Sequence, residues 1–299
     1  MTLSNLPDGV SLAVSPLSWT NDVLEALGGD IPLETCLSEA AANGFQGVEL
    51  GRKFPREAEA LRPLLGAHNL KLASGWYSGL LAERDVFDEI AAVHDHATLL
   101  AEMGCKVMVY GPVGRMAPGD ALDLPMSHRV QLSASEALAY ADRLGEFDRR
   151  LRGAYGLKLA YHHHLMMVCE SFDEVSRVIE RAQCGLLVDT GHAAAAGFDY
   201  ARLFERFGDL VTHIHLKDVR AERLAQVRAG DLSFNEGVRM GMFTVPGDGS
   251  LNFAPVADFV KRSGYQGWLV VEAEQDPSRP EAEPKAATKR AFNHITSLF

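Results

Sequence analysis

Residues 157–164 read LKLAYHHH, and the alternation within them carries the fold. In an extended chain successive side chains point to opposite faces. Leu157, Leu159 and Tyr161 therefore share one side, while Ala160, His162 and His164 share the other. A bulky apolar face suits packing against helices, which leaves the imidazoles pointing the opposite way. His163 falls on the apolar side and is expected to have a structural role.

The same grammar repeats along the chain. Strand-like segments occur at 11–19, 47–50, 71–77, 105–111, 157–164, 185–192, 211–219 and 267–275. Between them lie stretches of helical period, such as PLETCLSEAAANG, with Leu33, Cys36, Leu37, Ala40 and Ala41 on one face and a glycine stop. Strands alternating with helices throughout predict a parallel sheet with helices outside it. Eight such units fit a closed (β/α)8 TIM barrel, which takes ~250 residues. An open doubly wound sheet is the competing reading, but it carries a Gly-rich turn after its first strand, and SPLSWTND is not one. The expectation is one barrel domain over residues 1–299. Long loops at about 112–135 and 220–250 should cover the C-terminal face, where barrel enzymes keep their sites.

Composition narrows the partners. The formal charge of −11 opposes a nucleic-acid or anionic-membrane surface, and no apolar run has the length of a membrane span. The first residues lack the basic and apolar blocks of a signal peptide. Cys36, Cys105, Cys169 and Cys184 lie far apart with no CxxC pair, so neither structural zinc on thiolates nor a disulfide framework is expected. These features set the expectation of a cytoplasmic protein acting on a small molecule. Homo-oligomers are an expectation from the barrel class alone.

Polar residues gather on the last four strands. His162 and His164, Asp189, then His213, His215 and Lys217, then Glu272 and Glu274 all fall on the side opposite the bulky apolar residues. Four of them, His162, Asp189, His215 and Glu272, should lie at similar heights at the barrel mouth. Mixed imidazole and carboxylate donors suit Mn²⁺, Co²⁺, Zn²⁺ or Fe²⁺ better than an all-oxygen Ca²⁺ cage, and a divalent cation offsets the burial of carboxylates. A polar mouth of hydrogen-bonded histidines without an ion is the alternative. Glu49 on the second strand reads as an inward substrate-site residue or as a strand-end cap. Trp19, Trp76 and Tyr77 read as an apolar wall against a ring substrate or as core. PGDG at 246–249 reads as a turn, and His94 and His96 as solvated or packed helix residues.

GLLVDTGH, THIHLKDV and GWLVVEAEQD are similar to the late strands of the xylose-isomerase-like barrels. YHHH, HLKDVR, GMFTVPGDG and VVEAEQDP, with SPLSWTND and GFQGVELG, resemble the inosose dehydratase family within that superfamily, from about residue 12 to the last helix. The resemblance implies a metal-dependent loss of water from 2-keto-myo-inositol in myo-inositol catabolism, with Mn²⁺ or Co²⁺ as the usual ions and Mg²⁺, Zn²⁺ and Fe²⁺ as further ones. It also associates glutathione with the activity, although no residue here marks a site for it. Asp189, His215 and Glu272 match three of the superfamily's four ligand positions. His162 stands where the superfamily has glutamate, so it is either the fourth ligand or a substrate contact.

Such a dehydration needs a base for the proton beside the ketone and an acid for the departing hydroxyl. His164 and His192 are the candidates, and Lys217 is the candidate to steady the oxygen that gains charge. Lys217 also reads as an ion-pair partner of Asp218 or another carboxylate. Trp19, Glu49, Trp76 and Glu274 are the candidates for substrate binding. A sugar or inosose isomerase or epimerase using related chemistry is the competing function.

Overall fold

Short runs of β-branched and apolar residues become β1 (Val10–Val14), β2 (Gly47–Leu50), β3 (Lys71–Gly79), β4 (Val107–Pro112), β5 (Lys158–His162), β6 (Leu186–Asp189) and β7 (Val211–Leu216). They are followed by β8 (Asp218–Val219), β9 (Phe243–Thr244) and β10 (Gly267–Val271). The computed structural model describes residues 6–117 and 120–299. Eight of the strands close a parallel barrel in the order β1-β10-β7-β6-β5-β4-β3-β2, and β8 and β9 form a separate antiparallel ribbon.

The helices follow their sequence signals. They are α1 (Leu33–Asn43), α2 (Ala58–Ala67), α3 (Val86–Ala92), α4 (His94–Glu102), α5 (Ala134–Tyr155), α6 (Phe172–Ala182), α7 (Thr190–Ala195), α8 (Ala201–Phe207), α9 (Ala221–Ala229), α10 (Phe234–Met240), α11 (Ala254–Ser263) and α12 (Pro284–Thr296). In α6, Ser171 and Glu174 form a reciprocal capping box, and Phe172, Val175, Val178, Ile179 and Ala182 are buried along one stripe. Burial of each large member contributes about 1.5–3 kcal/mol, and loss of the Ser171 cap costs about 1 kcal/mol. Local capping and long-range packing thus agree on where this helix starts and which face it hides.

Parity places the polar residues. Leu159, Tyr161, Leu186, Val188, Ile214, Leu216, Leu269 and Val271 belong to the main core between strands and helices. Val107, Val109, Ala160 and Leu187 fill one cluster inside the barrel, and Ala13, Ala73 and Val270 another. The next inward positions on the late strands carry the polar set. Asp189 and His215 are direct neighbours in the β6–β7 register, and His215 neighbours Val270 on β10. His163 points outward as parity requires. It is buried, and its Nε2 accepts the Asp189 amide at 3.2 Å.

Two expectations about the early strands are corrected. β1 stops at Val14, and Ser15 caps a single 3₁₀ turn over Pro16–Ser18, because proline has no N–H to extend the ladder. Trp19 therefore leaves the strand, is fully buried in the outer core, and donates its indole N–H to Glu39 at 2.7 Å. It does not line the mouth. Tyr77 also turns away, packing on His96 and Tyr110 outside the barrel. The β2–β3 pairing shifts register between Val48 and Leu50, and such irregularities re-aim the side chains that follow.

The two long connections are more ordered than loops. The 220–250 stretch holds α9, α10 and one strand of the ribbon, while 112–135 holds two single 3₁₀ turns. They clasp each other: Pro125 bridges Ser233, Ser127 N–H donates to Asp231 at 3.0 Å, and Asn235 Nδ2 donates to Asp123 at 3.0 Å. No helix among the described residues is long and apolar enough to cross a membrane.

Candidate metal centre and active site

β5, β6, β7 and β10 each deliver one donor to a common point. His162, Asp189, His215 and Glu272 are all buried, and one ligand atom from each lies within 4.8 Å of the other three. His162 Nδ1 lies 2.6 Å from the His163 carbonyl oxygen, which must receive a proton, so Nε2 keeps its lone pair. That lone pair faces Asp189 Oδ2 at 3.6 Å. His215 Nε2 donates to Glu49 Oε1 at 3.2 Å, which leaves Nδ1 facing Glu272 at 3.0 Å and Asp189 Oδ2 at 3.7 Å. Asp189 Oδ2 and His215 Nδ1 are both buried without a hydrogen-bond partner. Native interiors rarely leave such groups unpaired, and two converging on one point call for a cation.

The charge balance points the same way. Four buried carboxylates, Glu49, Asp189, Glu272 and Glu274, surround a single ammonium, Lys217. Burial alone would raise the pKa of each acid. For Asp189 the charge of Lys217 outweighs burial and holds it well below the usual range. His215 and Lys217 do the same for Glu272, and Lys217 does so for Glu274. Burial opposes the charge of Lys217, but Asp189, Glu272 and Glu274 hold its pKa above normal. In the metal-free protein Glu272 and Glu49 likewise raise His215 against its burial, so metal uptake there displaces a proton. Excess buried negative charge beside the lone pair of His162 Nε2 fits a divalent ion.

A second cluster adjoins the first. Lys217 Nζ lies 2.6 Å from Glu272, 2.7 Å from Glu274, 3.6 Å from Asp189 and 2.9 Å from His192 Nε2. Its stem passes so close to α7 that a Cβ on Gly191 would meet Lys217 Cγ at 2.5 Å, so only glycine fits there. Lys217 makes no pair with Asp218, whose carboxylate instead accepts the amides of Gly247, Gly249 and Leu251 and ties down the PGDG turn. The His164 and His192 rings lie 3.7 Å apart, centroid to centroid. His164 Nδ1 pairs with the Leu165 carbonyl at 2.7 Å, leaving Nε2 to face Glu274 at 3.7 Å. Burial, His164 and Lys217 together push the His192 pKa well below normal, so its imidazole is neutral.

A cavity of about 210 Å³ opens onto this cluster. Glu49, Trp76, His164, His215, Glu272 and Glu274 are among its lining residues. Trp76 stands at the mouth edge-on to His162 and His164, and Gly111 opposite makes room, since a Cβ there would lie 1.8 Å from the indole. Lys217 and His192 do not line the cavity. Lys217 pairs with Glu272 and Glu274 at their inner side, and His192 lies behind His164. Two residues that the sequence reading passed over, Phe234 and Asn235, form the roof at the start of α10. Their signal was present in SFNE at 233–236, a capping box that opens a helix over the mouth.

Comparison with known proteins agrees with the geometry. The description of the xylose isomerase-like TIM barrel family matches residues 37–298. The rhizopine catabolism protein MocC of Rhizobium meliloti is 41% identical over 291 residues, covering 97% of this chain and 88% of MocC. An inosose dehydratase of Geobacillus thermodenitrificans is 37% identical over 276 residues, covering 90% and 91% of the two chains. Among solved structures, the IOLI protein with a bound zinc atom superposes with a TM-score of 0.67 at 16% identity, covering 96% of this chain and 97% of that one.

Proposed function

The chain belongs to the xylose isomerase-like TIM barrel family, and from that premise we propose that it is a metal-dependent hydro-lyase removing water from 2-keto-myo-inositol (inosose) in myo-inositol catabolism. The observation that carries this reading is the 37% identity, spread over 90% of the chain, with an inosose dehydratase. The converging, unpartnered donors Asp189 Oδ2 and His215 Nδ1 support the metal. His162, Asp189, His215 and Glu272 would hold the ion, with Mn²⁺ or Co²⁺ suited to two nitrogens and two carboxylates. Bound there, a divalent ion supplies Lewis-acid polarisation of a ketone oxygen.

The chain's own residues supply the proton traffic. His164 reaches the cavity with a lone pair on Nε2 and takes the proton from the carbon beside the ketone. Glu274, held ionised by Lys217, faces the imidazolium that results. His164 then returns the proton to the departing hydroxyl. One C–H and one C–O bond break, a C=C bond forms and one water leaves, and the resulting enol tautomerises to the dione. His192, tilted against the back of His164 and hydrogen-bonded to Lys217, keeps the ring in place. Trp76 and Phe234 wall the cavity against bulk water.

Metal-loaded protein incubated with 2-keto-myo-inositol should produce a dione that absorbs in the ultraviolet, and Asp189→Ala should abolish it. The 41% identity with MocC supports a second reading, a role in rhizopine catabolism. No dione from inosose, together with turnover of rhizopine, would select that role.

A further inference from the structure

The candidate ligands leave one buried carboxylate unassigned. Glu49 lies on β2, and the metal donors lie on β5, β6, β7 and β10. Between β2 and β7 the barrel wall consists of β1 and β10, whose inward side chains at this level are Ala13 and Val270. Ala73 completes that small-residue cluster. The space they leave lets Glu49 cross the interior to β7. There a single oxygen, Oε1, accepts from Ser74 Oγ at 2.5 Å, His213 Nε2 at 2.9 Å and His215 Nε2 at 3.2 Å.

We infer that Glu49 is a positioning residue for the metal centre: by accepting the Nε2–H of His215 it fixes that ring so that Nδ1 presents its lone pair to the ion. The inference rests on the metal-dependent reading above. An imidazole ligand needs its second nitrogen anchored, or the ring can rotate about χ2 and turn Cδ2 toward the ion in place of Nδ1. In metal sites such anchors control affinity by about 10–100-fold. The anchor here is itself anchored, because Ser74 and His213 approach the same oxygen. Its negative charge also makes His215 a stronger donor. Glu49 thereby acts on the ion through His215, although it also borders the cavity.

The test uses Co²⁺ as the probe, in the full chain, with wild type, Glu49→Gln and Glu49→Leu. Titration followed by visible absorbance should show a Kd about 10–100-fold weaker in Glu49→Leu. Glu49→Gln, which keeps an acceptor oxygen but loses the charge, should show a smaller rise. In the Co²⁺-loaded wild type, proton NMR should show a hyperfine-shifted imidazole N–H that exchanges slowly with solvent, and that resonance should be lost in Glu49→Leu. A merely structural role would change the melting temperature and leave both readouts untouched, and that result would overturn the inference. Equal affinities and an intact resonance in Glu49→Leu would also overturn it, alone. A wild type that takes up no Co²⁺ would overturn the metal-dependent reading and this inference with it. If Glu49→Leu does not fold, Glu49→Gln decides by the same two measurements.

Discussion

Replacing Lys217 by methionine removes the only ammonium among Asp189, Glu272 and Glu274 while keeping a side chain of similar length. At 2.6 and 2.7 Å from two carboxylates, each close contact is worth about 6 kcal/mol at an effective dielectric constant of 20, and Asp189 at 3.6 Å adds a weaker third. Desolvation of the ammonium offsets most of this gross attraction. What remains on removing one partner is the cost of stranding buried charge, about 3–5 kcal/mol. Urea unfolding followed by circular dichroism, in EDTA at pH 8, should therefore show the midpoint lowered by about 1–1.7 M, taking roughly 3 kcal/mol per M for the slope. The sign of its pH dependence follows. Without Lys217, Glu274 loses the main charge that holds its pKa down, and burial then pushes it up. A raised carboxylate destabilises where it is ionised, so the penalty is full at high pH and shrinks as acidification protonates the cluster. A penalty under about 1 kcal/mol at pH 8, or one that grows on acidification, would refute the reasoning.

Other perturbations separate the remaining parts. His164→Ala should lower kcat by about 10²–10⁴-fold with metal affinity unchanged, as expected for an acid–base group that does not hold the ion; steady-state kinetics and Co²⁺ titration check the two halves. Trp76→Ala should raise KM more than it lowers kcat in the same kinetic assay, because the indole walls the cavity and lies outside the donor cluster. Burial lowers the pKa of His96 to about 4, offset only in part by the Gly75 carbonyl, so the folded protein keeps it neutral while the unfolded chain protonates it below about 6.5. Its contribution is a loss of stability as pH falls, about 2 kcal/mol between pH 6.5 and pH 5. His96→Gln should remove that part of the acid limb in urea unfolding curves at the two pH values.

The late strands were legible because their physics is local. A side-chain period of two, with bulky apolar residues on one face, forces His162, Asp189, His215 and Glu272 inward whatever the rest of the chain does. His163 followed the same rule outward. The early strands were less legible because single events broke the period: Pro16 ended β1 and sent Trp19 into the core, and Tyr77 faces outward on a strand whose pairing with β2 shifts register. Which carboxylates Lys217 meets was hidden for another reason. Its partners, Glu272 and Glu274, lie more than fifty positions away along the chain, and its enclosure depends on the bare Cα of Gly191. A cover over the mouth was expected from the length and position of 220–250, of which Phe234 and Asn235 line the cavity. Its helices were missed although AERLAQVRAGDLSFNEGVRM carries both helical spacing and a capping box.

The most direct test is a crystal structure of the protein grown with Mn²⁺ or Co²⁺, with anomalous scattering measured at the metal edge. The account predicts one strong peak inside the barrel mouth, with Asp189 Oδ2, His215 Nδ1, Glu272 and His162 Nε2 at roughly 2.0–2.3 Å from it. A peak bound only by Asp189, His215 and Glu272, with His162 turned to the cavity, would return His162 to the role of a substrate contact. An empty mouth in protein that turns over inosose would contradict the claim that these four side chains share an ion.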